Sequence, residues 1–461
     1  MEGDGAMFKQ ALDKRHARGK PIQVAFVGAG RMGTGAICQI GLMRGIRVAV
    51  IADLSTERAT RAFELSGYRR EDVVVANAVG PAQDAIRQNK PVVTQDATLV
   101  PQLEIDAVVD ATGSPELGAR VALQTIQARK HIIMLNVETD VVVGPILHRM
   151  AEAAGVVYTV SSGDEPGLIA EFYDRYAGLG FEIVAVGKAP SSIGLFDRFA
   201  TPDSVGEDAK RLGVNPHFLV TFRDATKTMI EMACISNYTG LVPDIRGMHG
   251  PIAGVNEIPQ LFRPKSEGGI LNTRGVVDYA RPLKHEDGSI DFDRSVTPGT
   301  FIVVHTDHKQ IQEDLQYLDV TGSDGYYNMY TPYHLVTNEI PLSIVNAVAF
   351  NHPTIVPKLG LVTEVFGAAK RALTAGETVE GAGGSSVYAL NDLYETAKAD
   401  NVVPLGLLTD AKLLRDVRRE EVITYDMVEL QTDTTLYHLR ALQNSMNLQP
   451  HAPPSLKVAA E

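Results

Sequence analysis

Two cysteines, Cys38 and Cys234, are all the chain has. Two lone thiols make neither a zinc knuckle nor a disulfide framework, and their scarcity fits a reducing compartment such as the cytoplasm. Cys38 falls in a helical stretch and reads as a small apolar packing residue. Basic surplus is also missing. The formal charge is −13, which disfavours a nucleic-acid or anionic-membrane surface. No apolar run approaches the roughly 18 residues that cross a bilayer. The opening segment MEGDGAMFKQALDKRHARGK lacks the apolar h-region of a secretory signal and reads as a short amphipathic helix, Met7 to Arg18. No G-x-S-x-G, paired H-x-x-x-H or P-loop occurs, so hydrolase and triphosphatase readings have no anchor. Low-complexity runs and solenoid periods are absent too.

What is present is ordinary for a globular chain: 44% hydrophobic and 21% charged residues. A length of 461 residues is too great for one core, so two or three domains are expected. From Pro21 to about Val160, short runs rich in Val and Ile alternate with helical segments. The predicted strands are 22–28, 47–53, 92–96, 105–113, 131–136 and 155–161. They are apolar throughout, as strands covered on both faces are. The predicted helices are Gly33–Met43, Thr56–Leu65, Gly80–Gln88, Glu116–Ala128 and Val143–Ala154, with 69–91 a modest insertion. This alternation implies an α/β Rossmann domain with a doubly wound parallel sheet over 1–162. An α+β substrate or catalytic domain is expected over 163–362, entered through a helix from 167. It holds predicted strands at 181–189, 217–222 and 299–306 and a surface loop or hairpin at 284–295. A small β-rich module follows over 363–450, then a disordered tail over 451–461.

The stretch VAFVGAGRMGTG, residues 24–35, gives the first site. A strand runs into Gly28-x-Gly30-x-x-Gly33 and a helix. Gly28 permits the sharp turn, Gly30 lets backbone amides approach a pyrophosphate, and Gly33 lets the helix pack on the strand. Arg31 and Met32 complete the turn. Twenty residues later Asp53 ends the second strand, placed to accept hydrogen bonds from both ribose hydroxyls and to repel a 2′-phosphate; Arg58, five residues on, is the group that favours NADP instead. The balance points to NAD, with NADP as the alternative. Ala111, Thr112 and Gly113 after the fourth strand, and Asn136 and Glu138 after the fifth, are expected along the cofactor, because ligands bind at the carboxyl ends of such strands. Glu138 has a second reading as a helix N-terminal carboxylate.

Candidates for chemistry follow. Asp164 and Glu165 lie in a Gly/Pro-rich stretch, GDEPG, either as ligands or as solvated turn residues. Lys188 ends an apolar strand, either as a general acid or as a snorkelling lysine. Glu231 sits in an apolar run where an unpaired carboxylate is costly. Asn237, Asp244 and His249 follow, suited to a metal, a phosphate or a polyol, with a structural hydrogen bond the other reading of His249. Glu267, Asp278 and His334 are weaker candidates.

Taken in order, GAGRMG, DATGSPELG, NVETDVVVGP, GDEPG, the VGK strand, NYTGLVPDIRGMHGP, EGGIL and VVDY resemble the 1-deoxy-D-xylulose 5-phosphate reductoisomerase-like oxidoreductases, from about residue 20 to about 445. The resemblance implies a homoserine-dehydrogenase-like NAD(P)-binding domain and a C-terminal SAF-like module at 370–381 and 411–430. It implies NADPH-dependent rearrangement and reduction to 2-C-methyl-D-erythritol 4-phosphate, a step of isoprenoid biosynthesis. It also implies Mg²⁺ or Mn²⁺, with Asp164, Glu165 and Glu231 as the acids carried over to hold it. Where the family reads a 2′-phosphate with arginines, this chain has ADLSTER, which fits an NAD-linked dehydrogenase of a small polyol, sugar acid or hydroxy acid. Lys188, Glu231, Asp164 and His249 are the expected catalytic groups, and a homo-oligomer acting on a small molecule is expected. A reading from another class is a nucleotide-holding regulatory protein whose C-terminal module binds a second ligand.

Overall fold

The computed structural model describes residues 8–190, 196–446 and 448; the tail expected to be disordered lies outside them. The chain forms two units. Of the described residues, the first takes in 8–171, 334–356 and 433–439, and the second 172–190, 196–333, 357–432, 440–446 and 448.

The first unit begins with α1 (Phe8–Ala17), β1 (Ile22–Val27), α2 (Arg31–Gly41), β2 (Ile46–Ala52) and α3 (Thr56–Leu65). Then come β3 (Val74–Val75), α4 (Val79–Arg87), β4 (Val92–Thr94), β5 (Ala107–Asp110) and α5 (Pro115–Gln127). The run ends with β6 (His131–Met134), α6 (Val137–Ala154), β7 (Tyr158–Val160) and α7 (Glu165–Gly178), in which the chain passes to the second unit. The seven strands form one sheet in the order β3-β4-β2-β1-β5-β6-β7, and every pairing is parallel. The expected insertion at 69–91 is therefore a strand and a helix that extend the sheet by one edge. The chain runs outward from β1 through β2 on one side and through β5 on the other. That reversal opens a crevice at the carboxyl ends of β1 and β5.

The strands are buried along almost their whole length, as uninterrupted apolar runs require. Phe26, Ile37, Ile40, Ile51 and Phe63 form the core with Ile340, Ile344 and Val345 of α13 (Val336–Phe350). Each such side chain contributes about 1.5–3 kcal/mol by leaving water. Helix α6 starts at Val137, ahead of the expected Val143, because Asn136 caps it by accepting the Thr139 amide at 3.2 Å.

The second unit is built on a sheet in the order β12-β13-β11-β8-β10-β9. Its elements are β8 (Glu182–Lys188), α8 (Gly206–Leu212), α9 (Pro216–Arg223), α10 (Thr226–Thr239), β9 (Val242–Pro243), α11 (Ile258–Leu261) and β10 (Val276–Tyr279). After them come β11 (Thr300–His305), α12 (Lys309–Tyr317), β12 (Gly322–Ser323) and β13 (Tyr326–Asn328). Strand β8 lies parallel to β10 and antiparallel to β11. Residues 217–222, expected as a strand, are helical in α9. Asn215 accepts the His217 amide at 2.9 Å and Pro216 takes the first helical position, a start signal that outweighs the apolar alternation of HFLVTF. In residues 284–295, Lys284 bridges Ile290 and Ser295 bridges Gly254, both antiparallel. The C-terminal part has β14 (Thr363–Ala369) paired antiparallel with β15 (Val387–Leu393), α14 (Tyr394–Ala399), and a short pair of β16 (Lys412–Leu413) and β17 (Val428–Glu429). Helix α15 (Thr435–Ser445) closes the described chain. Among the described residues no helix is long and apolar enough to cross a membrane.

The glycine turn is closely packed: a Cβ on Gly33 would collide with the carbonyl oxygen of Gly28. Gly33→Ala is expected to cost about 1–3 kcal/mol, read as a lowered midpoint in thermal unfolding of the full chain.

Candidate active site

The three glycines of the turn are each constrained differently. Gly28 has φ of +98°, and a Cβ there would lie 2.8 Å from the oxygen of Ala111. Left-handed backbone and contact with the loop after β5 both demand glycine. A Cβ on Gly30 would meet nothing within 4 Å. Gly30 is also the N-cap of α2, and it supplies no side-chain cap. Uncapped amides facing open space are what a pyrophosphate needs, so the residues present fit a dinucleotide. Arg31 is exposed beside them, Met32 half-buried.

Asp53 is buried, and its carboxylate is already engaged. Oδ2 accepts the Ala29 amide at 2.8 Å and Arg58 Nε at 3.2 Å; Oδ1 accepts the Ser55 amide at 2.8 Å and Arg58 Nη2 at 2.6 Å. Four donors fill the roughly four acceptor positions of a carboxylate. In this arrangement Asp53 has nothing left for two ribose hydroxyls unless Arg58 moves aside. Its visible task is to bind the glycine turn to the start of α3.

Beyond β5, Asp110 is fully buried. Oδ1 accepts the Thr112 amide at 3.0 Å, and Oδ2 accepts Asn136 Nδ2 at 2.9 Å. Asn136 Nδ2 also donates to Thr112 Oγ1 at 3.2 Å and to the carbonyl of Ser114 at 2.9 Å. The amide of Asn136 thus holds two loops together instead of reaching outward. Gly118 makes this node possible, because a Cβ there would press on Thr139, Asn136 and Asp110. Burial pushes Asp110 up to about 6, and the nearby charge of Glu138 adds to the rise, against the hydrogen bonds. Glu138, half-buried in the first turn of α6, keeps its cofactor and dipole readings; Ala111 and Thr112 are half-buried and Gly113 exposed.

Asp164 and Glu165 are buried residues at the start of α7, which begins at Glu165, not at 167. Glu165 lies 3.5 Å from His334 Nε2 within the first unit. They are therefore not solvated turn residues. Gly163 beside them has φ of +83° and packs against Leu335 and Glu339.

In the second unit Lys188 and Glu231 come into contact. The Lys188 ammonium donates to Glu231 Oε2, and both side chains are nearly sealed from water at 2% and 1% exposure. Lys188 is therefore no snorkelling lysine. Lys227, one helical turn before Glu231, lies 4.0 Å from Oε1. Sequence reasoning passed over Lys227, although the i, i+4 spacing of a Lys and a Glu on one helix was its signal. His249 Nε2 meets Asp244 Oδ2 at 2.7 Å, and Asp244 also accepts the amides of Asn272 and Thr273. Asp278, at the end of β10, accepts the amides of His249 at 3.1 Å and Gly250 at 2.9 Å, and burial pushes it up to about 6. Asn237 is spent on structure: its Oδ1 accepts the amides of Val362 and Thr363. Glu267 is held by Arg274 and the Tyr326 hydroxyl.

Residues 163–340 match the family model described as the oxidoreductase DRL, catalytic domain. This domain is joined to a fold with a dinucleotide cradle. Residues 163–340 are thus similar to an oxidoreductase catalytic domain. No curated protein sequence matches it. Among solved structures, it is similar to a putative oxidoreductase from Klebsiella pneumoniae at 17% identity, over 41% of this chain and 51% of that one, with a TM-score of 0.24. It is similar to a probable dehydrogenase from Thermotoga maritima at 13% identity, over 72% and 90%, with a TM-score of 0.37. A third is 1-deoxy-D-xylulose 5-phosphate reductoisomerase from Zymomonas mobilis in complex with NADPH, at 12% identity, over 46% and 57%, with a TM-score of 0.34. The chain thus spans about half of the first of these.

Asp110 sets a pH test. An acid whose folded value lies above its unfolded one is held protonated by the fold. Its contribution is complete below 3.8 and is lost as the pH rises through about 6. Stability measured by urea unfolding should fall across that window, and Asp110→Asn should make the fall shallower. Asp278 titrates in the same direction, so part of the slope persists in the variant.

Proposed function

We propose that the protein interconverts a carbonyl and a hydroxyl on a small polar substrate, with Lys188 handling the proton. The observation that carries this is the sealed contact of Lys188 and Glu231, one at the end of a central strand and the other within a buried helix. A nicotinamide dinucleotide, held through the amides of 28–33 and the loop at 111–113, supplies or accepts the hydride. Lys188 Nζ donates its proton to the developing alkoxide, or takes one from the alcohol in the reverse direction. Glu231 fixes the ammonium in one orientation and offsets the cost of burying it. Asp244 and Asp278 fix the loop around His249, a second proton-handling group on the same side of the scheme.

Simple hydride transfer and metal-assisted transfer make different demands on Glu231. A divalent cation at Glu231 would compete with the Lys188 ammonium already in contact and with Lys227 at 4.0 Å. A second reading, reductoisomerisation of 1-deoxy-D-xylulose 5-phosphate, is favoured by the DRL description of the matched domain. The SAF-like reading of 363–450 belongs to that second proposal. EDTA separates the two: full activity after chelation supports plain dehydrogenation, and loss restored by Mn²⁺ supports the reductoisomerase.

Two variant sets test the assignment. Lys188→Ala should lower kcat about 10²–10⁴-fold and destabilise the fold by about 3–5 kcal/mol, because a buried carboxylate loses its partner. The double variant Lys188→Met with Glu231→Met should regain much of that stability and remain inactive, which separates chemistry from folding. For the cofactor, Arg58→Ala frees Asp53 for a ribose diol. Fluorescence titration should show NADH affinity kept or raised and NADPH affinity lowered about tenfold, as expected when a 2′-phosphate loses a charged donor. Unchanged NADPH affinity would remove Arg58 from cofactor selection.

A further inference from the structure

The arginines of the second unit divide into two groups. Arg175 lies over Phe172. Of the others, among the described residues, all but three sit in ion pairs with carboxylates. The three are Arg198, Arg281 and Arg419, and they gather in one place. Arg198 lies 5.3 Å from the ring of Tyr388 and 5.8 Å from that of Phe196. Arg281 lies 5.4 Å from the same Phe196 ring. Arg419 lies 3.7 Å from Phe199, which meets Tyr388 edge-on at 6.0 Å. The charge of Arg198 also acts on the hydroxyls of Tyr279 and Tyr388, against the burial that pushes both phenols up. The acids that act on these phenols are Glu420, which is exposed, and Asp278, which is buried.

The cluster stands at the end of the sheet where Lys188 ends β8. Tyr279 is the ladder partner of Lys188, and the Ala280 amide donates to the Lys188 carbonyl at 2.9 Å. Arg281 Nε donates to the carbonyl of Gly250, next to His249, at 2.6 Å. Guanidinium groups stacked on rings are held in orientation and shed part of their hydration, while their edges keep N–H donors for an oxyanion. Three such groups without carboxylate partners repel one another, and an anion relieves that cost. A carboxylate is saturated by one fork, whereas a tetrahedral dianion presents edges to several.

We propose that Arg198, Arg281 and Arg419, with the Tyr279 and Tyr388 hydroxyls, bind the phosphate-monoester end of the substrate, so that the C-terminal segment supplies Tyr388 and Arg419 to substrate recognition. The identification of this anion as the substrate's own rests on the oxidoreductase reading above; the anion site itself does not.

The test is equilibrium dialysis of the full chain against radiolabelled orthophosphate. It is run on a Gly30→Asp background so that the dinucleotide turn cannot bind phosphate; the space beside Gly30 accommodates the change. One phosphate site is expected to remain. Adding Arg419→Gln, or Arg198→Gln, should weaken it about tenfold, and phenyl phosphate should displace the label where succinate does not. Should Arg198→Gln fail to fold, Arg419 decides, being exposed and packed on a single ring. Absence of phosphate binding on that background, binding unchanged by Arg419→Gln, or equal displacement by succinate overturns the assignment. Failure of the oxidoreductase reading shows separately, as wild-type protein that binds no NADH while the phosphate site persists.

Discussion

A lysine and a glutamate sealed from water in mutual contact set the terms for the second unit. Lys188 is the last residue of β8, the strand that joins the parallel and antiparallel halves of the six-stranded sheet. Glu231 lies mid-way along α10, a helix buried on nearly every face. Pairs of this kind seldom stabilise a protein: apolar residues of similar volume often do as well or better, while removing one partner costs several kcal/mol. In the proposed reaction, charge at the end of the central strand is what handles the proton during hydride transfer at a carbonyl. The pair also explains why the strand cannot slip, since a register change would strand an ammonium among Val184, Val186 and Phe301.

The first unit depends on backbone, and for that reason most of it could be read from sequence. Strands covered on both faces must be apolar throughout, and they were. Each glycine of the turn has its own cause: left-handed φ at Gly28, open space at Gly30 and backbone contact at Gly33. Such constraints act on the residue itself and are visible in the chain. The fit of Gly118 against Asp110, Asn136 and Thr139 was not legible in the same way, although Gly118 closes a quoted motif. Its reason lies in a helix meeting a polar node that only the folded chain assembles.

Side-chain partners account for the rest of what the sequence left open. Asp53 was placed correctly at the end of β2, but its four donors include an amide from the glycine turn and an arginine from the next helix. Residue type predicts that a carboxylate will be satisfied; it does not say by whom. The same holds for Asn237, whose oxygen takes two backbone amides of the C-terminal part. Residues 217–222 failed for a local reason: an Asn-Pro start outweighed a β-like pattern of apolar residues. The arginine cluster had no linear signal, because its members lie on three separate segments and are joined only through aromatic rings.

Helix α10 connects these observations. The residue before it, Ala225, has φ of +63°, a conformation that costs a non-glycine residue about 1 kcal/mol or more. That strain is held by Asp224, which accepts the Thr226 amide at 2.8 Å and meets the Lys370 ammonium at 2.9 Å. Further along, Thr226 Oγ1 accepts the Ala389 amide and the Met229 carbonyl accepts Asn391 Nδ2, so β15 is fastened to the helix along its length. At its far end Asn237 holds Val362 and Thr363, where β14 begins. The helix that presents Glu231 to Lys188 is thus fixed at its start, middle and end by the C-terminal segment. The same segment carries Tyr388 and Arg419. Under the proposed function, a ligand that draws on Arg419 pulls on the element that positions Glu231 against Lys188, and binding energy from a remote anionic group has a mechanical route to that pair.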